Sequence, residues 1–297
     1  MARTWSKWAR CASAGLCLAA GMGLLAQSVV ELEKQAERGD ADAQFRLGVE
    51  FAAGQDGPVD MAQALEWYRR AAAQGNVNAM YNLGVAYRNG LGVKRDDAEA
   101  VKWYRRAAEP GHPEARFALG VAYYTGRGVK KDDTKALYWF RKEEERTGNA
   151  LTEVFLGEMY TNADGVAKDD AEAMRWYGKA AAQGNVVAEY RLAKGYLMGT
   201  GLKPDAAQAA GWFRKAAQQG VSPAQYQLGL MYESGEGVEQ SYVQAYFWLA
   251  LATGSEPDVG VQEHIAEERD RASVHLTAAL VAETDVRVKG WKTGGEQ

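Results

Sequence analysis

Along most of the chain apolar residues return at intervals of three and four, the spacing that gives an α-helix one buried face. In NAMYNLGVAYRN, residues 78–89, Ala79, Leu83, Gly84 and Tyr87 share such a face. In DAEAVKWYRRAAEPG, residues 97–111, the same spacing is kept by Ala100, Trp103, Tyr104 and Ala107. Between them GLGVKRD breaks the pattern with two glycines. The stretch predicts a helix, A, a tight turn, and a second helix, B.

The unit recurs. Trp67, Trp103, Trp139, Trp176, Trp212 and Trp248 follow one another at 36, 36, 37, 36 and 36 residues. The same intervals separate Gly48, Gly84, Gly120, Gly157, Ala193 and Gly229 within helix A, and Ala64, Ala100, Ala136, Ala173, Ala209 and Ala245 within helix B. Each helix B opens on a residue able to accept from unpaired backbone N–H groups: Asp60, Asp96, Asp132, Asp169, Asp205 and Ser241. The first five close at Gly75, Gly111, Gly148, Gly184 and Gly220, where the lack of a Cβ admits a left-handed residue. Glycine inside helix A costs roughly 1 kcal/mol relative to alanine. Since Ala193 fills the position once, the requirement is a short side chain beneath a close neighbour and not a positive φ. The tryptophans are expected to form a core ladder, so that Trp103→Ala would cost on the order of 3–5 kcal/mol.

Six repeats alter the reading of the glycine turns. GLGV, GRGV, GTGL and GEGV could each suggest a phosphate loop, but none has the four-residue spacing and Lys-Ser/Thr of a Walker loop, and no strand precedes them. They are joints, with Val93, Val129, Val166 and Val238 expected to seat the turn on the core. The first and fourth joints drift to Gln55-Asp56-Gly57-Pro58 and Ala163-Asp164-Gly165-Val166.

Composition then sets the class. The 297 residues, 47% hydrophobic and 25% charged with six prolines, describe a folded and predominantly helical chain. Arg3, Lys7 and Arg10 precede an apolar run, Cys11 to Ala26, with the layout of a secretory signal peptide. Its 16 residues fall short of the ~20 that a spanning helix needs, so cleavage is the expectation and membrane contact follows only if the segment is retained. Both cysteines, Cys11 and Cys17, lie within it, so the mature chain has no thiol. Cleavage removes three of the 35 basic residues and none of the 39 acidic ones, leaving a formal charge of −7 that argues against nucleic acid.

The pattern A-x-Y-x-L-G-x-x-Y-x-x-G-x-G-V followed by D-x-x-x-A-x-x-W-Y-x-x-A-A-x-x-G, best seen from Ala79 to Gly111, resembles the Sel-one-like repeat family, a relative of the tetratricopeptide repeats. The resemblance implies an all-α, right-handed α-α superhelical solenoid of six 36-residue helix-turn-helix repeats with terminal caps. In this register residues 1–26 are the signal peptide and 27–38 a capping half-repeat. The repeats occupy 39–74, 75–110, 111–147, 148–183, 184–219 and 220–254, and 255–297 hold capping helices and a tail, with Thr277 starting the last helix. It also implies a non-enzymatic, exported scaffold or adaptor, periplasmic or secreted, that binds a partner protein on its concave face. By analogy with tetratricopeptide arrays, that face is formed by the helix A column Phe45, Tyr81, Phe117, Val154, Tyr190 and Tyr226 and the positions four and seven onward. The partner-binding candidates are Tyr81, Arg88, Phe117, Tyr124, Glu158, Tyr190, Lys194 and Tyr226.

Two alternatives belong to other classes: a β-lactamase-like or penicillin-binding hydrolase, as in cysteine-rich relatives, and a peptidoglycan-binding envelope protein. The absence of cysteine from the repeats disfavours the first. His112, His264 and His275 are widely separated, with no G-x-S-x-G motif, and are expected in solvated turns and helix surfaces. No catalytic residue, metal or cofactor is expected. The third repeat departs from the pattern: Arg141-Lys142-Glu143-Glu144-Glu145-Arg146 replaces the Ala-Ala ending and one residue is added, so local packing should differ there.

Overall fold

The computed structural model describes residues 29–54 and 58–293. The expected export segment, 1–26, and residues 55–57 of the first joint lie outside the described residues. Fifteen helices and no strand are found among those described. After α1 (Val29–Glu37), A and B helices alternate: α2 (Ala41–Ala53) and α3 (Met61–Ala73), α4 (Val77–Asn89) and α5 (Asp97–Ala108), α6 (Pro113–Thr125) and α7 (Asp133–Thr147). The order continues with α8 (Ala150–Asn162) and α9 (Asp170–Ala182), α10 (Val186–Met198) and α11 (Ala206–Gln218), α12 (Ser222–Ser234) and α13 (Tyr242–Ser255). Two further helices, α14 (Val259–Ser273) and α15 (Ala278–Gly290), end the array. The chain forms two compact units, one reaching Trp139 and one starting at Phe140.

The helix boundaries are set by side chains. Asp60, Asp96, Asp132, Asp169, Asp205 and Ser241 each accept from the backbone N–H three residues on, which caps all six B helices. Each such cap is worth about 1 kcal/mol. A second column caps the A helices: Asp40, Asn76, His112, Asn149 and Asn185 accept from the first turn, whereas Val221 offers no side-chain cap. His112 is therefore not a solvated turn residue. It is 7% exposed, its Nδ1 accepts from Ala115 N at 3.3 Å, and its ring stacks on Tyr81 at 4.6 Å.

The short column in helix A is a close-approach site. A β-carbon at Gly84 would stand 2.6 Å from the Tyr104 ring, and one at Gly48 or Gly157 would meet Tyr68 or Tyr177 at 2.7 Å. In the fifth copy Ala193 shares a core cluster with Phe213. The buried helix B residue is thus the one after the tryptophan: Tyr68, Tyr104, Phe140, Tyr177, Phe213 and Leu249 are all at most 3% exposed.

This corrects the expected tryptophan ladder. Trp67, Trp103, Trp139, Trp176 and Trp212 are only partly buried. Four of them lie under a cation three residues on: Arg70 at 4.5 Å, Arg106 at 4.4 Å, Lys179 at 4.1 Å and Lys215 at 3.9 Å from the ring centroid. Trp248 alone among the six is fully inside, 2% exposed, because Trp291 after α15 packs edge-on against it at 5.6 Å. There the cation column changes to Leu251, itself 8% exposed.

The joints close on the preceding repeat. Gly128 has φ +72, and a β-carbon there would sit 2.1 Å from the Asp97 carbonyl oxygen at the start of α5. Gly201 and Gly237 stand in the same relation to Asp170 and Ala206. Val166 and Val238 pack against the core beside them, as expected of seating residues.

The third repeat does depart from the others. Its B helix runs 15 residues to Thr147, which accommodates the added residue. Glu143 occupies a column otherwise held by Ala71, Ala107, Ala180, Ala216 and Ala252, and is 2% exposed. Its Oε1 accepts from the Thr147 hydroxyl, and Glu144 pairs with Lys179 at 2.7 Å.

Candidate binding face of the A helices

In each unit the A helices carry a stripe of mostly partly buried residues, several of them packed over the core, and the two stripes differ in chemistry. In the first unit Tyr81, Val85 and Arg88 on α4, with Phe117, Val121 and Tyr124 on α6, are partly buried. Tyr104 of α5 underlies them: its ring presses on Gly84 and lies 5.8 Å from that of Tyr81. Burial pushes its phenol up to about 12, and its hydroxyl ends beside the Arg88 guanidinium without a well-formed hydrogen bond. Tyr68 behaves likewise, pushed up to about 12 by burial and ending beside Asn82. Tyr124 carries the Lys131 ammonium 5.6 Å from its ring centroid.

The second unit's stripe is more strongly charged. Glu158 on α8 has its carboxyl raised by burial, opposed by Arg191 of α10 at 3.8 Å. The Tyr177 hydroxyl lies between these groups, 3.5 Å from Thr161 Oγ1. Tyr190 packs 5.8 Å from Phe213, and Lys194 lies 6.0 Å from the Tyr190 ring. Two positions of the column are not free surface. Val154 is 7% exposed, inside the core. The Tyr226 hydroxyl is engaged by His264 Nε2 of α14 at 3.2 Å.

The residues singled out from the sequence do lie along the A helices, but the floor beneath them, Tyr68, Tyr104 and Tyr177, was not foreseen. Nor was the contribution of α14. Leu197, Leu230 and Glu233 border a shallow depression of about 470 Å³ whose far side is Glu268 and Arg271. Among the described residues no three His, Cys, Asp or Glu side chains are grouped to hold a metal ion. No helix among them is long and apolar enough to cross a membrane.

The geometry is matched in known proteins. Residues 41–76, 77–112, 113–142, 151–185, 186–221 and 222–253 each match the Sel1 repeat. The chain belongs to the Sel1 repeat family. The family pattern lapses after residue 142, where Glu143 enters the alanine column, and resumes at 151. Among solved Sel1-type structures, c5321, "a protective antigen present in uropathogenic Escherichia coli strains displaying an SLR fold", is 30% identical, with a TM-score of 0.74 over 89% of this chain. This chain spans 64% of that protein's length. A Sel1 repeat protein from Oxalobacter formigenes is 33% identical, with a TM-score of 0.66, over 80% of this chain and 68% of its own. No match is found among curated proteins. A Sel1-repeat solenoid is a scaffold fold consistent with protein–protein interaction, as the resemblance implied.

Proposed function

We propose that this chain is an exported, non-enzymatic scaffold that captures a partner protein on the A-helix stripes. One observation carries the reading: columns facing the core repeat nearly unchanged, whereas the stripe stays partly exposed and changes from copy to copy. Alanine or glycine fills the packing columns of almost every repeat, while the position seven residues past the stripe aromatic reads Ala52, Arg88, Tyr124, Thr161, Leu197 and Glu233. A surface held only by stacking would repeat like the core. A recognition surface varies. Tyr81, Arg88, Phe117 and Tyr124 lie on the stripe of the first unit; Glu158, Tyr190 and Lys194 lie on that of the second, with Tyr226 at its margin beside α14.

A photo-crosslinking residue placed at Tyr124 or Lys194 in cells should yield one discrete adduct, and the same residue at Lys102, on the outer surface of α5, should not. Equal labelling from all three positions would overturn the reading. Export rests on residues 1–26. Mass spectrometry of the purified protein should find this segment removed, and an intact N-terminus on protein confined to the cytosol would refute it.

A further inference from the structure

The geometry points to a carboxylate-binding position at Arg88 and Tyr104, made to take an aspartate or glutamate side chain of a partner segment lying along α4. The inference rests on the A-helix stripe being the binding surface and adds the chemistry of what it binds.

Arg88 is partly buried in the last turn of α4 and has no carboxylate within ion-pair distance among the described residues. A guanidinium withdrawn from water without a counter-charge loses hydration and gains nothing in return. Beside it stands the Tyr104 hydroxyl, in a side chain 3% exposed and with no hydrogen-bond partner. A partly exposed cation with no counter-charge therefore adjoins a buried hydroxyl that lacks a well-formed hydrogen bond. Val85, one turn back on α4, supplies apolar surface next to them.

The second unit shows what satisfies such an arrangement. Around Tyr177 the protein provides its own acid: the phenol hydroxyl lies near Arg191 and Glu158, which pair at 3.8 Å, with Thr161 Oγ1 3.5 Å away. At Tyr104 the position equivalent to Glu158 is Val85, so no acid stands there; Asp97 of α5, whose charge helps raise the Tyr104 phenol, pairs with Arg95 and Arg127 and not with Arg88. Tyr68 lacks the charge, since its hydroxyl ends beside Asn82. Charge complementarity favours a carboxylate supplied from outside, paired to the Arg88 guanidinium and accepting from the Tyr104 hydroxyl.

The test is selection of random 12-residue peptides, displayed through their C-termini so that only side chains can offer a carboxylate, on the immobilised full chain. Selected peptides should carry Asp or Glu next to apolar residues. Arg88→Gln should weaken one such synthetic peptide about 10- to 100-fold, the range for loss of a charged hydrogen bond. Tyr104→Phe should weaken it about 3- to 10-fold; Phe140 and Phe213 already occupy that column, so the variant keeps the packing. Arg88→Glu should shift selection toward Lys and Arg. Peptides that bind without a carboxylate and ignore Arg88→Gln would overturn this inference and leave the binding face standing. Failure to select any peptide would overturn both.

Discussion

Trp103 and Tyr104 are neighbours in sequence, yet one packs at the edge of the repeat and the other at its centre. Tyr104 is 3% exposed and presses on Gly84, while Trp103 is partly buried under Arg106. Tyr104→Ala should therefore cost about 3–5 kcal/mol, as for other large buried aromatics. Trp103→Ala should cost about half of that or less, because part of its ring already meets solvent and a cation. Thermal or urea unfolding of the two variants decides the order, and a larger loss for Trp103→Ala would reverse the assignment. Periodicity could not separate the two residues, since both columns recur every 36 residues and the larger ring drew the core assignment. The separating signal lay beside them. Tyr104 has Ala100, Ala107 and Ala108 at helical spacing, whereas Trp103 shares Ala100 and Ala107 but also has Glu99 and Arg106. Where that cation becomes Leu251, the tryptophan does go inside.

Within the helices a polar clasp links the start of A to the end of B in the same repeat. Gln44 accepts from Gln74 at 2.8 Å, Glu153 and Glu189 accept from Gln183 and Gln219 at 2.7 and 2.9 Å, and Gln225 accepts from Ser255 at 2.9 Å. The amide and acid versions of this column are not equivalent. Burial raises the carboxyls of Glu153 and Glu189, so these groups hold protons in the folded chain at a pH where the unfolded chain has released them. Their effect on stability then falls as pH rises from the ordinary glutamate range through the raised values, and it is least favourable at neutral pH. Glu189→Gln, which copies Gln225 and Gln44, should raise the melting temperature at pH 8, with the gain shrinking toward pH 5. A constant difference across that range would show that burial of the charge is not the cause. The helices, their B-helix caps and their glycine ends were legible in the sequence, because capping is a local property of two or three residues. The clasp was not: its partners lie 30 residues apart, and Asp, Glu and Gln are commonplace on solvated faces.

At the scale of the whole molecule the repeat count and register could be read from six tryptophans, and the departure in the third repeat from its added residue and acidic run. The terminal helices were foreseen as a cap, but not that α14 would reach the A-helix side at Tyr226, or that Trp291 would seal the outer side at Trp248. Both are contacts between segments with no internal copy to compare.

The joint glycines have a consequence for how length is encoded. A β-carbon at Gly201 would meet the first turn of α9, and one at Gly237 that of α11, so these copies are gauged against their immediate predecessors and not against a fixed origin. Excising residues 184–219 would seat Gly237 on the carbonyl of Asp170, the place Gly201 now holds. Such a shortened protein should still melt cooperatively, and at a higher temperature than one lacking 184–218, which leaves one extra residue at the end of α9 to be absorbed as α7 absorbs its own. If both deletions melted alike, the joints would not be the gauge. The architecture behaves as text with a 36-residue reading frame, in which whole words can be dropped between the ends and a single added letter has to be absorbed where it falls, as at the end of α7.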